Sequence, residues 1–255
     1  MEKKVENFIF DKNGITQHIV KYGVDIRPPV SAKQDRDKLQ EYCNFLTDNY
    51  PQAFESLLIG PDRSIVQKTF VAGNDKRIEF PTFAMTPRGP IYTFPVRLFI
   101  EHVEDFDIAD KSKIFRSAIE KFRATFAGRK IVRVGVVNEM IFDCGQTDSV
   151  QIVSNAISKR LWREGLRNIA IHLENPRDDK YNVNLDLAPA YAQQVVQSAT
   201  GTMEKNVGFG VSVKVDINNQ KMTDDLDKET IAAILAFAED YVPEELVEFL
   251  NSEPE

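Results

Sequence analysis

The chain has 255 residues, of which 42% are hydrophobic and 28% are charged. This composition is typical of an ordinary globular protein, and it excludes a chain that is mostly disordered or mostly embedded in a membrane. The net charge of −7 argues against indiscriminate attraction to nucleic-acid phosphates or to anionic lipid. We expect a cytoplasmic location, because no apolar run reaches the roughly 18 residues of a membrane helix and the first residues lack the apolar core of a signal peptide.

The first third of the chain predicts one long strand, one helix and several short strands. Residues 15–26 alternate in polarity before Pro28, which is typical of a strand that ends there. A helix is predicted next, because apolar side chains recur with the spacing of one helical face. These side chains are Leu39, Tyr42, Cys43 and Leu46. Short extended segments separated by turn residues then predict an antiparallel meander. They are residues 56–59, 65–71 and 78–83.

The middle of the chain predicts a long strand and the clearest helix in the sequence. Residues 91–103 place apolar side chains on one face with a period of two, as a strand does. Asp110 is expected to cap the helix that follows, and Gly128 is expected to end it. The apolar side chains spaced four residues apart along this helix are Ile114, Ala118, Phe122 and Phe126.

The third part predicts the central strand of the sheet, a helix and a hairpin. Residues 131–142 are almost all apolar and β-branched, which is expected of a strand that is covered on both faces. Thr147 or Asp148 is expected to cap the next helix. Alternating residues at 169–173 and 183–187 predict two strands of a hairpin.

The last part predicts a strand and a helix, and it completes the interpretation of the fold. Residues 211–217 alternate cleanly, and a helix from about Asp225 ends before Pro243. The segment 188–201 fits neither pattern. Hairpins outnumber strand–helix–strand crossovers, so we predict an α+β fold with a mixed, largely antiparallel sheet or sheets and about four amphipathic helices.

Two domain organisations are open. The chain is expected to form a single α+β unit over residues 1–255, or two intertwined α+β halves at about 1–90 and 91–250. A strand, an acidic loop and an amphipathic helix occur at Val96–Phe126 and again at Val211–Tyr241. This similarity leaves a duplication open, although acidic helix starts are common.

Motifs that would identify an enzyme are absent from the sequence. There is no P-loop, no GxGxxG turn that opens a helix, no HExxH and no GxSxG. The histidines His18, His102 and His172 are far apart in sequence, and Cys43 with Cys144 shows no metal-ligand spacing. We interpret both cysteines as core residues, although a thiol at the strand end of Cys144 could have a lowered pKa. No catalytic, metal-binding or cofactor-binding residue is assigned, no cofactor is expected, and whether the chain is an enzyme stays open.

One strand carries a resemblance to a known family. The residues Arg133-Val134-Gly135-Val136-Val137-Asn138-Glu139-Met140-Ile141 resemble the R-h-G-h-R-x-h-N-x-h element (h, apolar) of a sporadically distributed bacterial family of uncharacterised proteins of similar length, with the asparagine one or two positions early. Tyr50-Pro51 is similar to a Tyr-Pro that follows the first helix in that family. The second arginine of the element is Val137 here. The resemblance implies a bacterial setting, often associated with mobile elements or defence, and implies no catalytic residues.

Three function classes remain, and the first is favoured. The absence of catalytic motifs and the acidic segment Glu101–Asp110 indicate a non-enzymatic protein-binding or assembly module, whose partner is another protein or a second copy of the chain.

The alternative is a metal-dependent hydrolase with carboxylates at strand ends. These carboxylates are Asp143, Glu174 and Asp216. The third is specific nucleic-acid recognition by basic residues that converge in the fold. These are Arg129, Lys130, Arg133, Lys159, Arg160 and Arg163. Trp162 is more consistent with a residue that covers the core than with a partner anchor.

Overall fold

A computed structural model describes residues 8–60, 63–67, 82–96, 108–145, 147–157, 168–177, 180–198, 201–219, 224–241 and 245–252. The strands are β1 (Ile15–Arg27), β2 (Ser56–Ile59), β3 (Ser64–Gln67), β4 (Thr82–Thr86), β5 (Gly89–Val96), β6 (Lys130–Asp143), β7 (Ile171–Arg177), β8 (Tyr181–Ser198) and β9 (Gly201–Asn219). The helices are α1 (Arg36–Asn49), α2 (Ile108–Thr125), α3 (Ser149–Ile157), α4 (Lys228–Tyr241) and α5 (Val247–Asn251), and a single 3-10 turn covers Lys12–Gly14.

All described strands belong to one nine-stranded sheet, in the order β2-β3-β4-β5-β1-β6-β9-β8-β7. Every described pairing is antiparallel. This confirms the prediction of an α+β fold with a largely antiparallel sheet and about four amphipathic helices. No helix among the described residues is long and apolar enough to cross a membrane.

The helices pack on one face of the sheet and bury a single core. α1 contacts β2, β3 and α2, and α2 also contacts β5 and α4. α3 contacts β8 and β9, and α4 contacts β6 and β9. The predicted apolar stripe of α1, at Leu39, Tyr42, Cys43 and Leu46, is buried in this core. The apolar residues of α2 join it, and Phe122 stacks on Phe126 with ring centroids 4.9 Å apart. Burial of this one face therefore accounts for the helical periodicity of the sequence.

Two predictions about helix starts have different outcomes. Asp148 caps α3, because its carboxylate accepts a hydrogen bond from the backbone N–H of Val150 at 2.8 Å. The prediction that Asp110 caps α2 is wrong, since the helix begins two residues earlier, at Ile108. Acidic side chains also favour positions inside the first turn, where the helix dipole attracts them, so the sequence signal fits either position.

The segment 188–201, which fitted no pattern, contains the end of a long hairpin. β8 continues to Ser198 and β9 starts at Gly201. β6 pairs with β9 only as far as Gly210, so residues beyond that point pair within the hairpin alone among the described strands. A register shift at Ala190 and Tyr191 marks the place where the ribbon leaves the sheet. The predicted strand at 91–103 is described only as β5, and its residues after Val96 lie outside the described ranges.

The order of elements is the same in two parts of the chain. A long strand (β1 or β6) leads to a helix, to an antiparallel meander and to a second helix. In both parts the last strand of the meander (β5 or β9) pairs with the long strand, and the two long strands pair with each other. The similar segments at Val96–Phe126 and Val211–Tyr241 therefore include α2 and α4, which occupy equivalent places. The domain organisation stays a prediction. This order of elements favours two intertwined halves, with the boundary between the halves after α2 rather than near residue 90.

Candidate binding cleft on the open sheet face

The side of the sheet that faces away from the helices is named the open face. In β1 the side chains of Val20, Tyr22 and Val24 are buried, whereas those between them are half-buried. β6 shows the same alternation. The prediction that β6 is covered on both faces is wrong for the described residues, because its odd-numbered positions from Arg133 to Ile141 are only half-buried. Val137 and Ile141 are thus apolar residues on a face that the described helices leave uncovered.

Two glycines lie directly opposite each other in the centre of the open face. Gly23 of β1 is paired with Gly135 of β6. Neither has a positive φ angle, so neither needs the conformational freedom of glycine. A Cβ on Gly23 would meet only Ile91 Cγ1, at 3.9 Å, whereas a Cβ on Gly135 would lie 3.3 Å from Asn218 Cβ. The missing side chains leave a depression in the middle of the sheet.

This depression is the floor of a cleft of about 350 Å³, which lies at the small end of the size range of ligand sites. The cleft is named the glycine cleft. Strands β1, β5, β6 and β9 and the turn between β4 and β5 form it. Its polar and charged lining residues include Lys21, Asp25, Arg88, Arg133, Asp216 and Asn218. Ile91 and Val137 add apolar surface.

The charged side chains of the glycine cleft differ in their partners. Lys21 Nζ lies 2.7 Å from Glu139 Oε1, and Asp216 Oδ1 accepts a hydrogen bond from Asn218 Nδ2 at 2.9 Å. Within the described part of the chain, the side chains of Arg88, Arg133 and Asp25 make no hydrogen bond and no ion pair. Two guanidinium groups and one carboxylate are therefore available to a ligand.

A row of charged residues continues across the open face from the glycine cleft to the edge strand β7. Lys214 Nζ lies 3.9 Å from Asp186 Oδ2, and His172 Nδ1 lies 2.5 Å from Asp186 Oδ1. His172 Nε2 lies 3.4 Å from Glu174 Oε1. The hydrogen bonds with Asp186 and then Glu174 raise the pKa of His172 above its ordinary value of 6.5. Cross-strand pairs of opposite charge of this kind are common on an exposed antiparallel face.

The predicted catalytic carboxylates are not brought together. Asp216 lies opposite Asn184, which lies opposite Glu174, so one strand separates the two carboxylates by about 10 Å. Asp143 lies opposite Gly210, which precedes Asp216 in β9 by six residues, and this separation corresponds to about 20 Å. The described residues contain no group of three histidine, cysteine or carboxylate side chains that could hold a metal ion.

The described histidines also lie apart. His18 is fully buried on the helix side of β1, where its Nε2 lies 2.9 Å from Asn138 Oδ1. His172 lies on the open face, four strands away. The buried pair of His18 and Asn138 joins β1 to β6 and is a core contact. His102 lies outside the described residues.

Both cysteines are buried thiols, as the sequence predicted. Burial raises the pKa of Cys43 to about 12. Burial, and then the nearby Asp143, raise the pKa of Cys144. The lowered pKa that the position of Cys144 at a strand end suggested is therefore contradicted, because a desolvated thiol resists ionisation.

The predicted basic cluster is only partly described. Arg129 lies 2.5 Å from Asp35 in a nearly buried ion pair, and its guanidinium lies over the ring of Phe126. Arg133 lies on the open face and Lys130 begins β6. The other predicted members, Lys159, Arg160 and Arg163, lie outside the described residues, as do Trp162 and the acidic residues 101–107.

The glycine cleft is not predicted by the sequence motifs above, although a signal for it is present. Lys21-Tyr22-Gly23-Val24 and Arg133-Val134-Gly135-Val136 both read basic, apolar or aromatic, glycine, valine. A comparison of the two long strands with each other would have found this similarity. No protein-family model matches the chain, and no curated protein matches it.

Proposed function

We propose that this chain is a non-enzymatic protein-binding or assembly module whose contact surface is the open face around the glycine cleft. One observation carries the proposal. The described helices cover only one face of a nine-stranded sheet, and the other face combines apolar side chains, a cleft and two arginines without ionic partners. The resemblance of β6 to a bacterial family suggests a complex of the bacterial cytoplasm, associated with defence or with mobile elements.

The composition of the open face fits a protein partner. Ile91 is 38% exposed at the rim of the glycine cleft, and Val137 lies in its lining. Charged residues surround these apolar ones, as in a protein interface with an apolar centre and a polar rim. Arginine is among the residues that contribute most to interface affinity, so Arg88 and Arg133 are suited to contact a partner beside these apolar residues.

The hydrolase alternative has weaker support. Hydrolysis assisted by a metal ion needs several ligands within bonding distance of one ion. Asp143, Glu174 and Asp216 are separated from one another by about 10 Å or more. Of these carboxylates only Asp216 borders the glycine cleft.

The nucleic-acid alternative also has weaker support. A phosphate-binding surface needs several cations that are free to contact the backbone. Arg129 is paired with Asp35 and Lys21 with Glu139, so Arg88 and Arg133 are the only cations without an ionic partner among the described residues that line the glycine cleft.

The proposal is tested by affinity capture from the host organism at near-physiological salt. The tagged wild-type chain is compared with Ile91→Glu, which places a charge at the rim of the glycine cleft. The matched control is Leu58→Glu, because Leu58 is an exposed strand residue, 66% exposed, in β2 at the far edge of the sheet.

We expect one stoichiometric protein with the wild type and with Leu58→Glu, and its loss with Ile91→Glu. Capture of no protein, or equal capture by Ile91→Glu, would contradict the proposed function. Capture of nucleic acid instead, with an affinity that falls steeply as salt rises, would support the third function class.

A further inference from the structure

We infer that the glycine cleft recognises an acidic segment of the partner protein and that Arg88 and Arg133 hold a carboxylate of that segment. This inference rests on the proposed function and adds the chemistry of the ligand. Three observations carry it, namely the glycine at position 23, the available charges and the position of the two arginines.

The first observation is that Gly23 has no structural reason to be glycine. It lies in the middle of a regular strand, its φ angle is not positive, and a Cβ would have ordinary van der Waals space. Glycine inside a strand lowers stability relative to alanine. Proteins accept such a cost where function needs the space, and here the space is the floor of the glycine cleft.

The second observation is the balance of available charge. Lys21 is paired with Glu139, whereas Asp216 keeps its negative charge although it accepts a hydrogen bond from Asn218. Arg88 and Arg133 are therefore the two cations of the cleft that have no ionic partner among the described residues. A carboxylate of the ligand can bind a guanidinium through two parallel hydrogen bonds.

The third observation is that the two arginines come from different elements beside the same glycines. Arg133 lies two residues before Gly135 in β6, opposite Asp25. Arg88 lies in the turn between β4 and β5, and its carbonyl oxygen accepts a hydrogen bond from the backbone N–H of Ile26 at 2.7 Å, which fixes the turn against the end of β1. The arginines therefore border one end of the cleft.

A carboxylate is the anionic group that an acidic segment of the proposed protein partner supplies, and the lining of the glycine cleft offers it the guanidinium groups of Arg88 and Arg133. The cleft is also large enough for an acidic side chain together with the backbone that carries it. We therefore commit to an acidic peptide segment as the occupant.

The test titrates the full chain with a short labelled peptide that has two central glutamates in a glycine–serine background. Binding is followed by fluorescence anisotropy and by the NMR amide signals of Gly23 and Gly135. Two further peptides carry glutamine or lysine in place of the glutamates. We expect the glutamate peptide to bind most tightly and to shift both glycine signals at millimolar concentration.

Substitutions then assign the charges. Arg88→Gln and Arg133→Gln should each weaken binding of the glutamate peptide about tenfold, because each removes charge-assisted hydrogen bonds. Asp25→Asn should strengthen it, because a repulsive charge is removed. Arg36→Gln is the matched control and should have no effect, since Arg36 is an exposed arginine of α1. Gly23→Ala should weaken binding without lowering the melting temperature, because a Cβ at this position has ordinary van der Waals space.

Several results would overturn the inference. They are the absence of any shift of the glycine signals, equal affinity for the glutamate and glutamine peptides, and an increase in affinity with Arg133→Gln. Failure of this inference is distinguishable from failure of the proposed function. If Ile91→Glu loses the captured partner but both arginine variants retain it, the open face binds a partner without recognising a carboxylate there.

Discussion

Replacement of Gly23 with alanine should stabilise the protein, although it fills part of the cleft that we propose as the binding site. Glycine in a strand interior lowers stability by about 0.5–1 kcal/mol relative to alanine, because a glycine residue loses more conformational freedom than an alanine residue when the chain folds. The new methyl group would lie 3.9 Å from Ile91 Cγ1 and would push nothing aside. We therefore expect the free energy of unfolding to rise by about 0.5–1 kcal/mol, and the melting temperature by roughly 1–4 °C for a chain of this size.

Other glycines provide a graded comparison for this prediction. A Cβ at Gly135 would lie 3.3 Å from Asn218 Cβ, so the crowding should offset much of the gain. A Cβ at Gly210 would lie 2.5 Å from the carbonyl oxygen of Phe142, and Gly210→Ala should cost about 1–3 kcal/mol as an overpacked site. Gly14→Ala is the control outside the cleft, since nothing lies within 4 Å of its Cβ position.

Urea unfolding followed by circular dichroism measures the stability of these variants. The predicted order of stability is Gly23→Ala above wild type, Gly135→Ala near wild type and Gly210→Ala well below it. A loss of stability in Gly23→Ala would refute the reasoning, because glycine would then have a structural role at that position. The functional explanation of Gly23 would lose its main support.

Three further predictions concern groups outside the glycine cleft. Arg129→Ala should lower the free energy of unfolding by about 3 kcal/mol in urea titrations, because it leaves Asp35 nearly buried without its charged partner; a change below about 1 kcal/mol would contradict the buried pair. An NMR titration should give His172 a pKa above 6.5, so its stabilising contribution is complete below 6.5 and is lost as the pH rises through the folded value. A pKa at or below 6.5 would contradict this. Cys43 and Cys144 should resist maleimide in the native protein and react in urea, since burial raises the pKa of both thiols.

The elements that the sequence predicted well are those with a strong local pattern. β1, the buried stripe of α1 and the cap of α3 at Asp148 follow from residues within one segment. The extent of burial was harder to predict. The apolar residues Val137 and Ile141 suggested a strand covered on both faces, but they lie on the open face. Local sequence does not distinguish an apolar residue covered by a helix from one kept for a partner.

The glycine cleft could not be located before the strand register was known. Gly23 and Gly135 are far apart in sequence, and only the antiparallel pairing of β1 with β6 places them opposite each other. A shift of this register by one residue would set each glycine against an inward-facing side chain. Arg88 joins them because the turn between β4 and β5 packs against the end of β1. Such long-range contacts depend on the whole sheet.

The central claim is that the open face contacts the partner, and site-directed photo-crosslinking tests it most directly. Lys214→Cys places an attachment point on the open face, and Lys38→Cys places one on α1, on the helix side. Each variant is labelled with a maleimide photo-crosslinker, mixed with the captured partner and irradiated. We predict a crosslink to the partner from position 214 and none from position 38, whereas a crosslink from position 38 alone would contradict the account.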